Sequence, residues 1–389
     1  MNPLEKKTVL LNTIFNFGAT LVSQFISVYL YIYTGSLPLM CLYIIVRIGC
    51  FPFFFALGNH FSKKHSFTLT YTLGLMLITA GLVFSLLAGK LFEADPYYVL
   101  VVAAIIGSGE GLYYFSANTC NQIVSDVKTR ASFLAYNGIC NNITSLMAPV
   151  FSSFVLANSV SEMEGYRFIL LSIIVIFIFV IFMALSMSAR SRDKDSSLLK
   201  ALSLKDKVWR DHCLAVFFYG LRDGIGLNVI GLLVYEAAGS GGTYSRLQTL
   251  FSFIMIFSYY LSRKFMKKDR IAMTMEFGAV LKILSTYSLI FVPNTAGAIF
   301  YGIGNAMAAA FYDNGYSYLS ANIIGRYRDE MTSRVVAKET YLSLSRCTSM
   351  ALVILAYLLL PEALYLKISV GILSLSTIVV TKILLKYKS

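Results

Sequence analysis

Apolar stretches of about 20 to 26 residues recur from one end of this 389-residue chain to the other, each cut off by a shorter polar segment. Hydrocarbon offers a backbone no water, so a segment that crosses a bilayer must satisfy its own N–H and C=O groups, as a helix or within a closed barrel. These stretches are continuously apolar rather than alternating, and about 20 residues at roughly 1.5 Å each span the ~30 Å hydrocarbon core. They are therefore expected to be helices. Twelve can be drawn: 9–32, 38–58, 67–89, 97–119, 132–157 and 167–187, then 213–235, 243–262, 271–292, 296–322, 336–359 and 364–385. Charged residues make up 14% of the chain and hydrophobic ones 57%, against about 25% charged in soluble domains. The expected class is an all-α polytopic membrane protein. Lys6 and Lys7 precede the first run. That run is too long for a signal-peptide core and has no small-x-small cleavage site, so it is read as the first transmembrane helix.

A formal charge of +13 would suit a nucleic-acid partner if the basic residues formed one patch. They alternate between loops instead. With both ends of the chain placed inside, 25 of the 33 lysines and arginines fall in inner segments or at the inner ends of runs, four (Lys90, Arg167, Arg246, Lys367) in or at the outer ones and four (Arg47, Arg222, Lys282, Arg346) deep within spans. That asymmetry orients the helices with N and C termini cytoplasmic, and nucleic acid is not expected as a partner. Cys41, Cys50, Cys120, Cys140, Cys213 and Cys347 stand in or beside apolar runs without CxxC spacing. They read as small buried hydrophobes, not as disulfides or metal ligands. His60, His65 and His212 read as residues of polar loops, which argues against a haem ligand pair or a histidine proton relay within a span. There is no Walker A loop to bind ATP, and no HxxxD, paired membrane-face aspartates or Ser-His arrangement to make an enzyme. No metal and no cofactor are expected, and the chain is expected to work as a monomer among membrane lipids.

The longest polar segment, 188–212, divides the chain into two sets of six runs, 1–187 and 213–389. Leu198, Leu199, Leu202 and Leu204 share one face of a short amphipathic helix, with Lys200, Lys205 and Lys207 around it. This suits a linker on the inner leaflet; a regulatory partner site is the alternative. The two sides repeat each other. Phe15-x-x-Gly18 and a closing Gly35-Ser36 in the first run correspond to Phe217-x-x-Gly220 and Gly239-Ser240 in the seventh. Gly107-Ser108-Gly109-Glu110 corresponds to Gly302-Ile303-Gly304-Asn305, and the loop charges Asp126, Lys128 and Arg130 to Arg328, Asp329, Glu330 and Arg334. Parallel six-helix repeats of this kind are related by an axis along the membrane normal and bind substrate near the midplane where they meet.

This architecture resembles the major facilitator superfamily of transporters. The family's loop after helix 2 follows a pattern close to G-x-L-A-D-R-x-G-R-R. Gly58, Lys63 and Lys64 match its glycine and basic pair, while Ser62 stands in the usual acidic place. The second-half loop, Ser262-Arg263-Lys264-Phe265-Met266-Lys267-Lys268, departs further from the charge latch that this pattern forms. Within the superfamily the chain is similar to the YQGE-type transporters of low-GC Gram-positive bacteria. The residues that carry this are Gly220-Leu221-Arg222-Asp223-Gly224, Ala135-Tyr136-Asn137-Gly138, and Lys338-Glu339-Thr340-Tyr341 leading to Ser345-Arg346. The resemblance implies a bacterial cytoplasmic membrane protein working by alternating access. It implies that helices 1, 4, 7 and 10 line a cavity, that 2, 5, 8 and 11 flank it, and that the rest stand outside.

Counted at roughly 1.5 Å per residue from the inner end of each run, Arg47, Glu110, Asp223, Lys282, Asp313 and Arg346 lie about 13–17 Å deep, near the midplane. Charges there face a protein interior or a water-filled cavity. Arg222 and Asp223 are adjacent, about 100° apart on a helix, so each needs a partner elsewhere. By the resemblance, Glu110, Arg222, Asp223 and Asp313 belong to cavity helices, and Arg47, Asn137, Asn141, Asn142, Glu339 and Arg346 to flanking ones. Lys282, on an outer helix, is expected to snorkel or to pair with Glu276. One reading of these charges is structural, with Asp223–Arg346 and Glu110–Arg47 as ion pairs that hold helices together. The other is functional: a midplane carboxylate carries a proton as its neighbours change. Asp313 is the first choice, because no Arg or Lys shares its layer of the helix, and Glu110 the second. Arg222 and Arg346 would then grip an anionic group, and Tyr113, Tyr114, Tyr219, Tyr312 and Tyr316 would line an amphipathic cavity. The expected function is a proton-coupled secondary transporter of a small organic or amphipathic, anionic solute. A lipid or glycolipid flippase on the same fold and a transport-inactive receptor or scaffold are the alternatives.

Overall fold

The computed structural model describes residues 3–64, 67–124, 130–186, 202–262, 270–327 and 330–387. All regular structure among them is helical. The long helices of the first part are α1 (Pro3–Thr34), α2 (Leu37–Lys64), α3 (Phe67–Leu87), α4 (Val99–Val124), α5 (Arg130–Asn158) and α6 (Glu162–Leu185). In the second part α7 is Lys207–Leu227 continued by Val229–Ala238, α8 is Gly241–Ser262 and α9 is Ile271–Phe291. The next, α10, runs from Thr295–Ala308 through a π-helical turn, Ala309–Asp313, into Asn314–Ile324. Last come α11 (Met331–Leu359) and α12 (Glu362–Ser374 continued by Ser376–Leu384). Among the described residues 10 helices are long and apolar enough to cross a membrane. Outside that group are α8, which carries Arg246 and Gln248, and α10, which carries Asn305, Asp313 and Asn314. The chain is a multi-pass membrane protein of the expected all-α class. Phe53, Phe154, Phe182, Phe257, Phe300 and Leu358 are exposed, as suits side chains that meet acyl chains.

The chain divides into two compact units, Met1–Asp193 and Lys194–Ser389, with the same internal packing order. In the first, α1 packs on α5 and α6, α4 on α2 and α3, and α3 on α6. In the second, α7 packs on α11 and α12, α10 on α8 and α9, and α9 on α12. The repeated Gly-Ser pairs prove to be helix punctuation. Gly35 (φ 58°) and Gly239 (φ 75°) close α1 and α7 in the left-handed region that a side chain resists. Ser36 Oγ then accepts the Leu39 N–H at 3.3 Å, and Ser240 Oγ the Thr243 N–H at 3.2 Å, capping the next helix.

Glycines also set how closely the helices approach. Gly107 lies against the Arg47 carbonyl on α2, and a Cβ at Gly111 would sit 2.9 Å from the Phe51 carbonyl oxygen, while one at Gly109 would sit 2.6 Å from the Gly74 carbonyl oxygen on α3. The G-x-G-x-G run thus lets α4 nest between two backbones. In α10, Gly302 faces Phe251 of α8 and Gly304 faces Ser285 of α9. On α7, Gly220 and Gly224 lie against Ser345 and Ser349 of α11, a small-xxx-small contact on both sides, and a Cβ at Gly224 would be 3.0 Å from the Arg346 Cα. The Ser345 hydroxyl donates to the Phe217 carbonyl across the same contact.

Two boundaries differ from the sequence expectation. Helix α7 begins at Lys207, not 213, because Asp206 caps it, accepting the Trp209 N–H at 2.7 Å and the Tyr327 hydroxyl at 2.7 Å. Helices do not end where hydrocarbon does, so the polar Lys207–His212 turns belong to the helix that carries the apolar run, with Trp209 and His212 buried. His212 is therefore a helix residue, its Nε2 2.9 Å from Ser320 Oγ on α10, and His60 lies in α2. Residues 188–201 of the expected linker and 263–269 of the second-half loop lie outside the described residues, as do Met187, His65, Asp126, Lys128, Arg328 and Asp329.

Gly224→Leu is expected to lower the thermal stability of the purified protein by about 1–3 kcal/mol, the range for overpacking. Gly242→Leu, where nothing lies within 4 Å of a Cβ, should leave the melting curve near native. The Tyr327 hydroxyl and the Trp209 N–H hold the Asp206 carboxyl below the ordinary carboxylate value. A lowered value means that its contribution is complete above about pH 4 and is lost as pH falls through the lowered value. Asp206→Ala should cost about 1 kcal/mol at neutral pH and flatten the acid limb of a melting-temperature profile, whereas Asp206→Asn should keep most of the cap.

Candidate functional site

Side chains from α7, α9, α10 and α11 meet within the second unit. The π-helical turn of α10 ends at Asp313; such turns interrupt the α-helical register and recur at functional sites. Lys282 reaches across from α9, its Nζ 2.6 and 2.8 Å from the two Asp313 carboxylate oxygens. The Tyr219 hydroxyl donates to the same carboxylate at 3.3 Å. Tyr219 stacks on Tyr316 at 3.8 Å between ring centres, with Tyr312 nearly parallel at 6.3 Å. Lys282 Nζ stands 5.1 Å from the Tyr312 ring centre, within cation–π range.

This corrects two expectations. Asp313 is not free of basic neighbours, and Lys282 neither snorkels nor pairs with Glu276. Six residues turn a helix by about 600°, which leaves Glu276 on another face of α9; Glu276 is exposed there, while Lys282 is only 8% exposed. Considering each charge only within its own helix hid a partner that the neighbouring helix supplies.

Asp223 and Arg346 form the pair that the sequence suggested, with Arg346 Nε and Nη2 each 2.7 Å from Asp223 Oδ2. The Gly224 contact brings these two backbones together, so the pair depends on it. Arg222, the next residue round α7, points elsewhere. Its Nη2 donates to Asn305 Oδ1 at 3.3 Å and Thr286 Oγ1 at 3.4 Å. Glu339 Oε1 lies 3.5 Å from the Nζ of its chain neighbour Lys338.

In the first unit, Arg47 and Glu110 form the other suggested pair, two-pronged, with Nε–Oε2 at 2.9 Å and Nη2–Oε1 at 2.6 Å. Tyr113 stacks on Phe15 at 3.8 Å, its hydroxyl 3.2 Å from that of Tyr71, and Tyr114 stands edge-on to it at 5.1 Å. Asn137 Oδ1 accepts from Asn12 at 3.0 Å, and Asn16 donates to the Asn141 carbonyl at 3.1 Å and Thr144 Oγ1 at 2.8 Å. These bonds tie α1 to α5. A Cβ at Gly58 would sit 2.9 Å from the Phe115 ring. Lys63 and Lys64 end α2, and their side chains, like that of Asn142, lie outside the described residues. Among the described residues no His, Cys, Asp and Glu group is arranged to hold a metal ion.

The structure therefore joins Asp313, Tyr219, Tyr312 and Tyr316 in one cluster, and holds Asp223–Arg346 and Arg47–Glu110 as separate pairs. Sequence reasoning missed Lys282, Thr286, Tyr71, Asn12 and Asn16 as partners. Asn305 was visible only as a member of the repeated glycine motif. Lys282 and Thr286 stand one helical turn apart on α9, a signal that was there to use.

Helices in this order and packing give the fold of the solved transporters named below, in agreement with what the resemblance in sequence implies. No family model matches the chain. Among curated proteins it is similar to the uncharacterized protein YqgE of Bacillus subtilis (strain 168), 24% identical over 370 residues, covering 93% of this chain and 84% of that protein. It is also similar to an uncharacterized protein in the sodM 3′ region of Geobacillus stearothermophilus, 24% identical over 156 residues, 40% of this chain and 71% of that one. Among solved structures, the nucleoside transporter NupG superposes with a TM-score of 0.71 at 12% identity, covering 99% of each chain. A D-xylose-proton symporter gives 0.71 at 15% identity over 98% of this chain and 97% of that one. A bacterial homologue of the iron transporter ferroportin gives 0.70 at 15% identity over 100% of each. These structural neighbours are transporters rather than enzymes.

A fully buried ion pair costs about 3–5 kcal/mol to break; Asp223 and Arg346 keep 29% and 25% side-chain exposure, so the cost here is smaller. Asp223→Arg and Arg346→Asp should each lower the melting temperature by several degrees, and the double reversal should recover at least half of the loss. An additive double mutant would mean that the two side chains do not stabilise each other.

Proposed function

We propose that this chain is a secondary transporter that moves a small organic, anionic solute across a bacterial cytoplasmic membrane, coupled to protons. In this reading two six-helix halves, 1–187 and 213–389, rock about a midplane site, with both termini cytoplasmic and no enzymatic step. The fold it shares with nucleoside and sugar transporters, a D-xylose-proton symporter among them, supports the class.

The single observation that carries proton coupling is the Lys282–Asp313 pair with Tyr219. Protonating Asp313 removes the charge that balances Lys282, and a lone ammonium cannot stay in a dry interior. The cluster must then rearrange or admit water or solute. Gain of a proton is in this way tied to a change of structure, which is what coupling requires. The tyrosine stack beside Asp313 gives the site an apolar, aromatic wall for an organic solute.

Proteoliposomes with a trapped pH dye, offered candidate solutes under an imposed pH gradient, test this. Native protein should move protons with a transported solute. Asp313→Asn should lose the proton signal and gradient-driven accumulation while keeping solute exchange. A variant that still couples would remove Asp313 from the mechanism, and one that fails to fold would assign it to structure.

A further inference from the structure

Among the described residues, Arg222 is the one midplane cation that finds only neutral partners. It lies near the middle of α7 and is 4% exposed. No described carboxylate lies within ion-pair distance of it; Asp223 is held by Arg346 and Asp313 by Lys282. Its Nη2 makes two long bonds, to Asn305 and Thr286, and its buried Nε has no partner. A buried guanidinium with only amide and hydroxyl neighbours is costly, because nothing repays the loss of hydration.

The repeat shows what is missing. Glu110 follows Gly107-x-Gly109 on α4 and supplies a two-pronged carboxylate to Arg47. Asn305 follows Gly302-x-Gly304 on α10, in the same order, and supplies an amide oxygen to Arg222. The two arginines stand on non-equivalent helices, Arg47 on α2 and Arg222 on α7, but the matched positions on α4 and α10 give the first a carboxylate and the second only an amide. One turn beyond Arg222, Gly226 carries no side chain, and a Cβ there would be 3.0 Å from Arg222 Nη1. The glycine keeps that edge of the guanidinium approachable.

We infer that Arg222, with Asn305 and Thr286, is an oxyanion subsite that takes the carboxylate or phosphate group of an organic solute. Guanidinium presents paired N–H donors that match either group. Asn305 offers amide N–H donors to a further oxygen, while Thr286, whose own hydroxyl donates to the Lys282 carbonyl, accepts from Arg222 and holds it in place. The inference deepens the transporter reading and rests on it for the identity of the anion as solute, but the binding itself needs no gradient.

The test is a thermal-shift titration of the purified full chain in detergent. The probes are benzoate, succinate and phenyl phosphate, each against a neutral counterpart (benzamide, succinamide, phenol), with inorganic phosphate alongside. At least one anion should raise the melting temperature of native protein where its counterpart does not. A phenyl phosphate response matched by inorganic phosphate identifies free phosphate as the anion; a response to the organic anions alone identifies the organic solute. Arg222→Gln should weaken the response tenfold or more. Asn305→Glu should do the same while raising the melting temperature of the unliganded protein, since it provides the missing carboxylate internally. That second variant keeps the test informative if Arg222→Gln folds poorly. Anions that behave like their neutral counterparts would overturn the subsite, as would native-like binding by Asn305→Glu. Anion binding without gradient-driven transport would sink the coupling proposal alone, and transport indifferent to Arg222 would sink the subsite alone.

Discussion

Inside hydrocarbon a charged side chain has no water to fall back on, and the charges within the apolar helices of this chain are arranged around that fact. Arg47 meets Glu110 between α2 and α4, Asp223 meets Arg346 between α7 and α11, and Lys282 meets Asp313 between α9 and α10. Each pair joins two helices within one unit, so helix placement and charge neutralisation are a single requirement. Among the described residues Arg222 departs from the rule, with neutral partners only and an unpaired Nε. A departure of that kind is costly in a dry interior, and it is where a bound anion would change the energetics most.

The pairs depend in turn on how closely backbones approach. The missing side chains at Gly107, Gly109 and Gly111 let α4 lie against α2 and α3, and Gly220 and Gly224 let α7 lie against Ser345 and Ser349 of α11. Without an apolar driving force between helices in lipid, such contacts hold through close packing and polar bonds. The same glycines that permit contact therefore bring Arg47 within reach of Glu110 and Asp223 within reach of Arg346. In the first unit, hydrogen bonds donated by the Asn12 and Asn16 side-chain amides to α5 add a polar tie of the kind that replaces hydrophobic driving force.

Much of the site was legible because depth is encoded linearly. Counting residues from the end of an apolar run gives the height of a charge in the membrane. Height puts Arg47, Glu110, Asp223, Lys282, Asp313 and Arg346 in one layer, and the two pairs suggested within it, Arg47 with Glu110 and Asp223 with Arg346, both form. The azimuth of a side chain is not encoded in the same way. The resemblance places Lys282 on an outer helix, where it would snorkel, yet it is turned inward to Asp313. His212 stands among charged residues and reads as part of a polar loop, yet it is buried in α7 against Ser320. In each case a neighbouring helix, distant in sequence, decides what the residue faces.

By itself the sequence determined the class of this protein, because the need to satisfy backbone groups in hydrocarbon leaves long apolar runs no option but helix. It also determined the punctuation, since Gly35-Ser36 and Gly239-Ser240 carry the end of one helix and the cap of the next within a few residues of chain. Only the tertiary structure decided which charges neutralise one another. That choice depends on the rotation of each helix about its axis and on which helices touch, and both follow from packing among residues far apart in the chain. Arg222 illustrates the division. Its position in an apolar segment is plain from the sequence; that Asn305, an amide, stands where a carboxylate would neutralise it became visible only when α7, α9 and α10 were brought together.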